Sequence, residues 1–538
     1  MDRRTLVAIV IMVLILMGYQ YYMGRNRPAT PPPPQREESA RPAPAERERP
    51  PGLTAESWLH PPLARRPVEE QDIVVETDLL RVVVSNRGGQ IKSWQLKKYL
   101  ESDGKPVEII GKGTAGDGSV ALRTWSGNPE ASTQNYTAHP QQLLLSESRP
   151  QGTITLQYVT STGLELTKSL TFFQDDYKVD VETKARNLSS RAQGLTFDLL
   201  WGPGIRESGQ EGDKGLKPPT SVVNGQRLQD KWEKLDRAAE HEGAVSWTAI
   251  HDSYFCAALI PLEKGAKARV EKMQDKGPVV GLIFPKANLP PGEEASERFS
   301  LFVGPKEIDR LTRLGFQMRE IIDLGWFDFL ARPALYFLKY INKHLKNYGL
   351  AIIILTFLVR IILFPLTQKS FKSMQEMQKV QPKISLLRER FKGDSKRMNQ
   401  ELMELYRKHH INPMGGCLPM VVQIPIFIAL YNALINSVEL WRSPFVLWIK
   451  DLSAKDPYYV LPILMGASWL IQQWMTPTVG DPRQAKIMLL MPVVFTFMFL
   501  NFPSGLVLYF LVSNLLGMGQ QLYINRQLKV PAKAGGSG

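Results

Sequence analysis

The chain has 538 residues, 43% of them hydrophobic, and its 66 Lys and Arg against 52 Asp and Glu leave a formal charge of +14. Two cysteines, Cys256 and Cys417, exclude a disulfide framework and any multi-cysteine metal site. All seven histidines fall outside the long apolar segments, which argues against an intramembrane metal centre or histidine proton relay.

In chain order, Leu6 to Met23 is an apolar run of spanning length behind Asp2, Arg3 and Arg4. It ends in Tyr19, Tyr21 and Tyr22, an aromatic interfacial ending rather than a cleavage site, so 1–24 reads as an uncleaved anchor. Residues 25–57, with Pro31 to Pro34, cannot bury a core and read as a disordered, extended tether. Within 58–320, short β-branched alternations bounded by turns predict strands at Ile73 to Glu76, Leu80 to Ser85, Thr153 to Tyr158, Leu164 to Phe173, Tyr177 to Thr183, Leu195 to Trp201 and Pro278 to Phe284. That pattern is a soluble, mainly antiparallel β sandwich. Its polar residues form no recognisable motif, so a structural or docking role is the default and a carbohydrate or peptide site the alternative.

Over 324–346, Leu330, Ala334, Phe337, Leu338, Ile341 and Leu345 share one arc at helical spacing, with Lys339, Lys343 and Lys346 opposite. This is the pattern of a helix lying in a membrane interface, or else of one packed on the sandwich. Five further spans follow within 348–525: Tyr348 to Thr367, Cys417 to Ser437, Tyr458 to Met475, Ile487 to Phe502 and Ser504 to Gln521. Asn501 to Gly505 separates the last two, which predicts a tight hairpin. The fold class is therefore a multi-pass α-helical membrane protein of six spans with a large extracytoplasmic all-β domain.

Residues 371–413 carry an excess of Lys and Arg, which places them in the cytoplasm. Counting spans then puts the amino terminus and the tail, 526–538, inside and the β domain outside; the closing Gly-Gly-Ser-Gly is a flexible appendage excluded from the fold. Within 371–413, Met374, Met377, Val380, Ile384, Leu387 and Phe391 make one apolar stripe and Met398, Leu402, Leu405 and His409 another. Gly393, Asp394 and Ser395 supply a stop and a new cap, so the segment reads as a helical hairpin. Its basic faces, including Lys379, Lys383, Arg388 and Arg390, bind anionic lipid, ribosomal RNA or an acidic partner, or are simply solvated.

The residue that stands out is Arg360, in an apolar run with no acidic residue inside any span. A charge at mid-membrane costs about 2.5 to 3.5 kcal/mol and normally faces a water-filled cavity or a partner. A hydrated cavity and snorkelling to the cytoplasmic face are both open for it. Thr356, Gln423, Asn432, Gln472, Gln473, Asn501, Ser513, Asn514, Gln520 and Gln521 are polar positions of the spans, suited to interhelical hydrogen bonds or to wetting a groove. The chain has no phosphate loop, nucleophile dyad or aspartate pair, so no catalytic residue, cofactor or metal ligand is expected and the protein reads as no enzyme.

The run Arg360 to Thr367, Asn412 to Pro419, Gln423 to Phe427, Asp451 to Ser453 with Asp456 to Tyr459, and Phe502 to Tyr509 resemble the YidC/Oxa/Alb family of membrane protein insertases in its Gram-negative form. The resemblance implies a bacterial inner-membrane protein with a periplasmic supersandwich like those of sugar-mutarotating enzymes but without their activity. It implies a lipid-open groove lined by Arg360, Thr356, Gln423, Tyr509 and Phe510. It further implies nascent membrane proteins as substrates, the lipid bilayer as surroundings, and the Sec translocon, ribosome or signal recognition machinery as partners, with no specific nucleic-acid sequence. The tail has only Arg526, Lys529 and Lys533, a modest basis for ribosome contact. Two other classes remain to be weighed: a secondary transporter or anion channel using Arg360, against which stands the lack of an inverted repeat, and an envelope assembly scaffold acting through its β domain.

Overall fold

The computed structural model describes residues 68–101, 103–111, 122–125, 127–206, 215–273, 277–391, 394–409, 418–475 and 482–529. The expected anchor at 1–24, the tether at 25–57, most of the Asn412 to Pro419 motif and the closing appendage lie outside the described residues.

The first part is all-β. A nine-stranded sheet runs in the order Gln226–Gln229, Thr220–Val223, Val245–His251, Phe255–Pro261, Glu294–Pro305, Lys178–Asn187, Leu164–Phe173, Gln151–Val159 and Thr137–His139. Against it pack two five-stranded sheets. One is ordered Pro106–Glu108, Gln90–Leu100, Leu80–Ser85, Asp72–Glu76, Gln142–Leu144, and the other Ala239–His241, Lys267–Met273, Gly277–Ile283, Asp198–Trp201, Leu122–Thr124. Pairing is antiparallel except where Val74–Glu76 meets Gln142–Leu144. The three sheets meet at Trp94, whose ring lies 6.3 Å from Phe172 and 6.1 Å from Trp201, all fully buried. Six of the seven expected strands coincide with observed ones to within a residue at the expected ends or lie inside them, whereas Leu195 to Trp201 is two short strands, Gln193–Leu195 and Asp198–Trp201, in different sheets.

Strand Leu164–Phe173 shows how the pattern is used. Leu164, Leu166, Leu170 and Phe172 point inward at period two, and Lys168 takes the middle inward place at 1% exposure. Its ammonium donates to the carbonyls of Gly89 at 2.8 Å and Gly88 at 3.3 Å, the turn between Leu80–Ser85 and Gln90–Leu100. Both glycines have positive φ, and a Cβ on Gly88 would fall 2.7 Å from the Ser132 carbonyl oxygen. Burial pushes the Lys168 ammonium down to about 7.

The helices are α1 (Pro129–Thr133), α2 (Ile308–Leu314), α3 (Asp328–Leu345), α4 (Tyr348–Arg390), α5 (Ser395–Lys408), α6 (Leu418–Ile435), α7 (Val460–Met475), α8 (Pro482–Phe499) and α9 (Ser504–Lys529). Residues 348–387 of α4 and 504–524 of α9 are long and apolar enough to cross a membrane; 421–435 of α6 and 490–499 of α8 are shorter apolar stretches. Helix α4 continues through Pro365 and Pro382 for 43 residues, about 65 Å at 1.5 Å per residue, so the apolar span and the charged arm after it are one helix and not two. The hairpin follows at its end, with Met377, Val380 and Ile384 packed on Leu402, Leu405 and Tyr406 of α5. Asp394 caps α5 by accepting from the Arg397 amide at 3.0 Å.

Two expectations change. The apolar arc of α3 faces α4 and α6 rather than lipid, and its outward side carries Phe329, Tyr336 and Tyr340 after the 96% exposed Trp326. Helices α8 and α9 share a tight turn and meet near it, Phe499 lying 4.9 Å from Phe510, but then each packs on α7 rather than along the other. Gly466 permits the α7 to α8 approach, since a Cβ there would sit 2.0 Å from Thr496 Oγ1.

The β domain grips the loop between α6 and α7. Trp441 lies between Arg206 and Arg442, at 5.1 and 5.2 Å, with Tyr254 at 4.6 Å and Phe255 at 5.5 Å. Arg206, almost wholly buried, also pairs with Glu101 at 2.9 Å and Asp252 at 3.4 Å. The last turn of α6 adds amides: Asn432 and Asn436 donate to the carbonyls of Leu324 and Asp323, and Lys217 donates to Asn436 Oδ1 at 2.6 Å. Lys339 of α3 bridges Asp309 at 2.6 Å and Glu439 at 3.1 Å, and these partners raise its pKa against its own burial. Asn432, a polar position of a span by sequence, thus bonds the segment leading out of the β domain.

Candidate functional site: a polar strip between α4, α6 and α9

Arg360 sits on α4 one turn after Thr356, half-buried among apolar neighbours. Its Nε donates to Ser513 Oγ of α9 at 3.0 Å. One turn earlier on α9, the buried Tyr509 hydroxyl accepts from Gln423 Nε2 of α6 at 2.8 Å and lies within hydrogen-bonding reach of Ser513. One turn later is Gly517, where a Cβ would lie 3.4 Å from Arg360 Nη2 and 3.2 Å from Gln472 Nε2 of α7. Positions 509, 513 and 517 follow the i, i+4, i+8 rule and so share one face of α9. Three helices thereby bring Gln423, Tyr509, Ser513 and Arg360 into one line of hydrogen-bonding groups.

No carboxylate among the described residues lies within ion-pair distance of Arg360. The neighbours that order its guanidinium are neutral, so they fix its direction without cancelling its charge. Around the strip, α4 exposes Phe357, Ile361 and Ile362, α7 exposes Ile463, Ile471 and Trp474, and α9 exposes Leu515 and Leu522, the surface expected toward acyl chains.

Of the five residues expected in the groove, Arg360, Gln423 and Tyr509 come together. Thr356 is fully buried and its hydroxyl donates to the Ile352 carbonyl of its own helix at 2.7 Å, so it flanks the strip without joining it. Phe510 lies about 100° around α9 from Tyr509 and packs on Phe427 at 5.3 Å and Phe499 at 4.9 Å. Ser513 was visible in the sequence as a polar residue of the last span, and its four-residue spacing from Tyr509 was the signal that would have assigned it. The other span amides tie helices together: Gln520 reaches the Phe364 carbonyl, Gln521 the Met475 carbonyl and Asn514 the Ser468 hydroxyl. On the charged arm of α4, Lys379, Lys383 and Arg390 are exposed; Lys383 Nζ lies 3.2 Å from His409 Nε2, and Arg390 stacks on Phe391 at 5.9 Å. The side chain of Arg388 lies outside the described residues.

Comparison with known proteins agrees across the chain. Residues 72–337 match the YidC periplasmic domain family and 340–533 the 60Kd inner membrane protein family. The membrane protein insertase YidC of Geotalea daltonii is 39% identical over 98% of this chain and 100% of its own length. That of Geobacter sp. (strain M21) is 41% identical over 85% of this chain and 86% of its own. A crystal structure of an active YidC insertase with its first transmembrane domain resolved covers 86% of this chain and 95% of its own at 19% identity and a TM-score of 0.37. On the sequence matches over nearly its whole length, the chain belongs to the YidC family of membrane protein insertases, inner-membrane proteins with a periplasmic β domain.

Proposed function

We propose that the strip from Gln423 to Arg360 is the path by which the polar outer segment of a nascent membrane protein leaves the cytoplasm, while its apolar segment slides along α6 and α8, the third and fifth spans, into lipid. The observation that carries this reading is a half-buried arginine held by a neutral hydroxyl, with no carboxylate partner among the described residues. Such a charge attracts acidic or polar groups transiently, and the polar strip shortens the low-dielectric distance those groups cross. Burial of the substrate's apolar span, at about 25 cal/mol per Å² removed from water, and the membrane potential acting on its charges drive the transfer. No covalent step, cofactor or metal takes part, so the chain acts as insertase and chaperone and not as an enzyme. The β domain, a supersandwich without mutarotase activity in this reading, lies in the periplasm. The six spans put the amino terminus and the hairpin with Lys379, Lys383, Arg388 and Arg390 in the cytoplasm, where ribosome or signal recognition machinery is met. The chain works alone or beside the Sec translocon.

The test is protease protection of a short single-span protein presented to liposomes containing only the purified chain. Protection above empty liposomes is the expected result. Arg360→Lys is expected to be milder than Arg360→Glu, with the gap widest for acidic tails. Equal effects on neutral and acidic tails would remove electrostatic attraction from the account.

A further inference from the structure

A guanidinium has five N–H donors, one on Nε and two on each Nη. A carboxylate can dock on it two-pronged either at the side, across Nε and one Nη, or at the end, across both Nη groups. In this protein Ser513 Oγ occupies Nε at 3.0 Å, which closes the side approach. Neither Nη of Arg360 is among the buried polar atoms lacking a partner, and no hydrogen bond from either joins them to another described residue. Both therefore keep accessible surface. The residue beside that end of the guanidinium is Gly517, and an added Cβ would lie 3.4 Å from Nη2 and 3.6 Å from Cζ. An interior glycine is less favourable to a helix than alanine. Here its effect is to leave the Nη edge uncovered on the α9 side.

We propose that Ser513 and Gly517 are positioning residues that hold the Arg360 guanidinium with its Nη fork open, so that it receives an Asp or Glu side chain of the inserting segment end-on and two-pronged. The inference rests on the reading of the strip as the substrate path, and it deepens that reading by naming the residues that orient and clear the guanidinium. Ser513 sets the direction and Gly517 the clearance. A point charge would favour any anion in its field, whereas a fork held in place discriminates a planar carboxylate from the isosteric carboxamide by geometry as well as charge.

The experiment uses the full chain in liposomes and two single-span substrates that differ only by Asp or Asn at one position of the translocated tail. The quantity read is the ratio of protease-protected Asp-tail to Asn-tail substrate for the unaltered chain and for Arg360→Ala, Ser513→Ala, Ser513→Thr, Gly517→Ala and Gly517→Val. Loss of the Ser513 hydrogen bond is expected to lower the ratio about fivefold, and Ser513→Thr, which keeps the hydroxyl, to recover it. Gly517→Val is expected to lower the ratio further than Gly517→Ala, because its branched carbons fall on the fork. If Arg360→Ala leaves the ratio unchanged, the electrostatic reading of the strip fails and the fork fails with it. If Arg360→Ala abolishes the ratio while Ser513→Ala and both Gly517 variants keep it, the fork alone is overturned. A fall of both substrates together in the Gly517 variants makes Gly517 a packing residue and overturns its assigned role. Ser513→Ala then decides the remaining half, since the small truncation adds no bulk.

Discussion

Replacing Trp441 by Ala should loosen the grip of the β domain on the loop between α6 and α7 without unfolding either. A fully buried Trp→Ala change costs about 3 to 5 kcal/mol, and Trp441 is half-buried with two guanidiniums and two aromatic rings on it. Scaling the burial term by exposure and keeping the ring and cation contributions gives about 2 to 3 kcal/mol. That raises the opened fraction of the loop about 30- to 150-fold. The change leaves no orphan charge, because Arg206 keeps Glu101 and Asp252. The contacts of Asn432, Asn436 and Lys339 also survive, so opening stays local. Amide hydrogen exchange reads it directly: the amides of Leu440, Trp441 and Ser443, bonded to the carbonyls of Ser437, Val438 and Leu440, should exchange faster by that factor. Strands Leu164–Phe173 and Lys178–Asn187 should keep their rates. Unchanged exchange at the three loop amides would refute the latch, and uniform acceleration through the β domain would show that Trp441 supports the domain's own core instead.

Stability of the β domain should depend on pH through its buried lysines. Burial pushes Lys168 and Lys306 down to about 7 from 10.5, so between those values the unfolded chain binds protons that the folded chain lacks. Unfolding free energy then rises with pH from about 7 to 10.5 and is lost as pH falls toward 7, on the order of 1 kcal/mol per pH unit for each lysine. Denaturant titrations should show this slope reduced by about 1 kcal/mol per pH unit in Lys168→Met, the shares of Lys306 and of Lys217, also held down by burial, remaining; an unchanged slope would place the shift elsewhere. Asp394→Ala removes the cap of α5 and should weaken the hairpin by about 1 kcal/mol, seen as faster cleavage of 395–408 by added protease. Asp456, wholly buried, accepts from Trp448 Nε1 at 3.1 Å and from the Tyr458 and Leu461 amides at 3.0 and 2.7 Å. Asp456→Ala should cost about 2 to 3 kcal/mol in thermal unfolding and Asp456→Asn less, since the amide oxygen still accepts.

Strands that alternate, such as Leu164–Phe173, were legible because one face is buried and the other is not. Phe255–Pro261 is buried at every residue, so it carries no period-two signal and reads as a generic apolar run. The boundary between the span ending at Thr367 and the hairpin of 371–413 was drawn at a change from apolar to charged residues. Such a change alters the medium a helix prefers and leaves its backbone hydrogen bonds intact, which is why α4 continues to Arg390. The apolar arc of α3 was read correctly as an arc, but a one-dimensional pattern does not say whether lipid or protein covers it. In the polar strip, residue type disclosed Arg360 and Gln423. The assignment of Ser513 and Gly517 needed the register of α9 against α4, a tertiary fact. Gly517 has no polar atom in its side chain, and its contribution is the space it leaves.

The magnitudes explain why the strip is built from neutral groups. An arginine at mid-membrane costs about 2.5 to 3.5 kcal/mol, while interhelical hydrogen bonds of the kind made by Ser513 and Tyr509 average about 0.6 kcal/mol. The bond from Arg360 to Ser513 therefore offsets only about a fifth of that cost. A resident aspartate would have offset more, but it would also have occupied the guanidinium permanently and left nothing for a substrate to gain. If the strip is the substrate path, as proposed, the residual cost is the free energy that an arriving carboxylate relieves in part. Because the relief is a few kcal/mol at most, the carboxylate can also leave, so the same arithmetic that keeps Arg360 unpaired at rest sets an upper limit on how long it holds a passing chain.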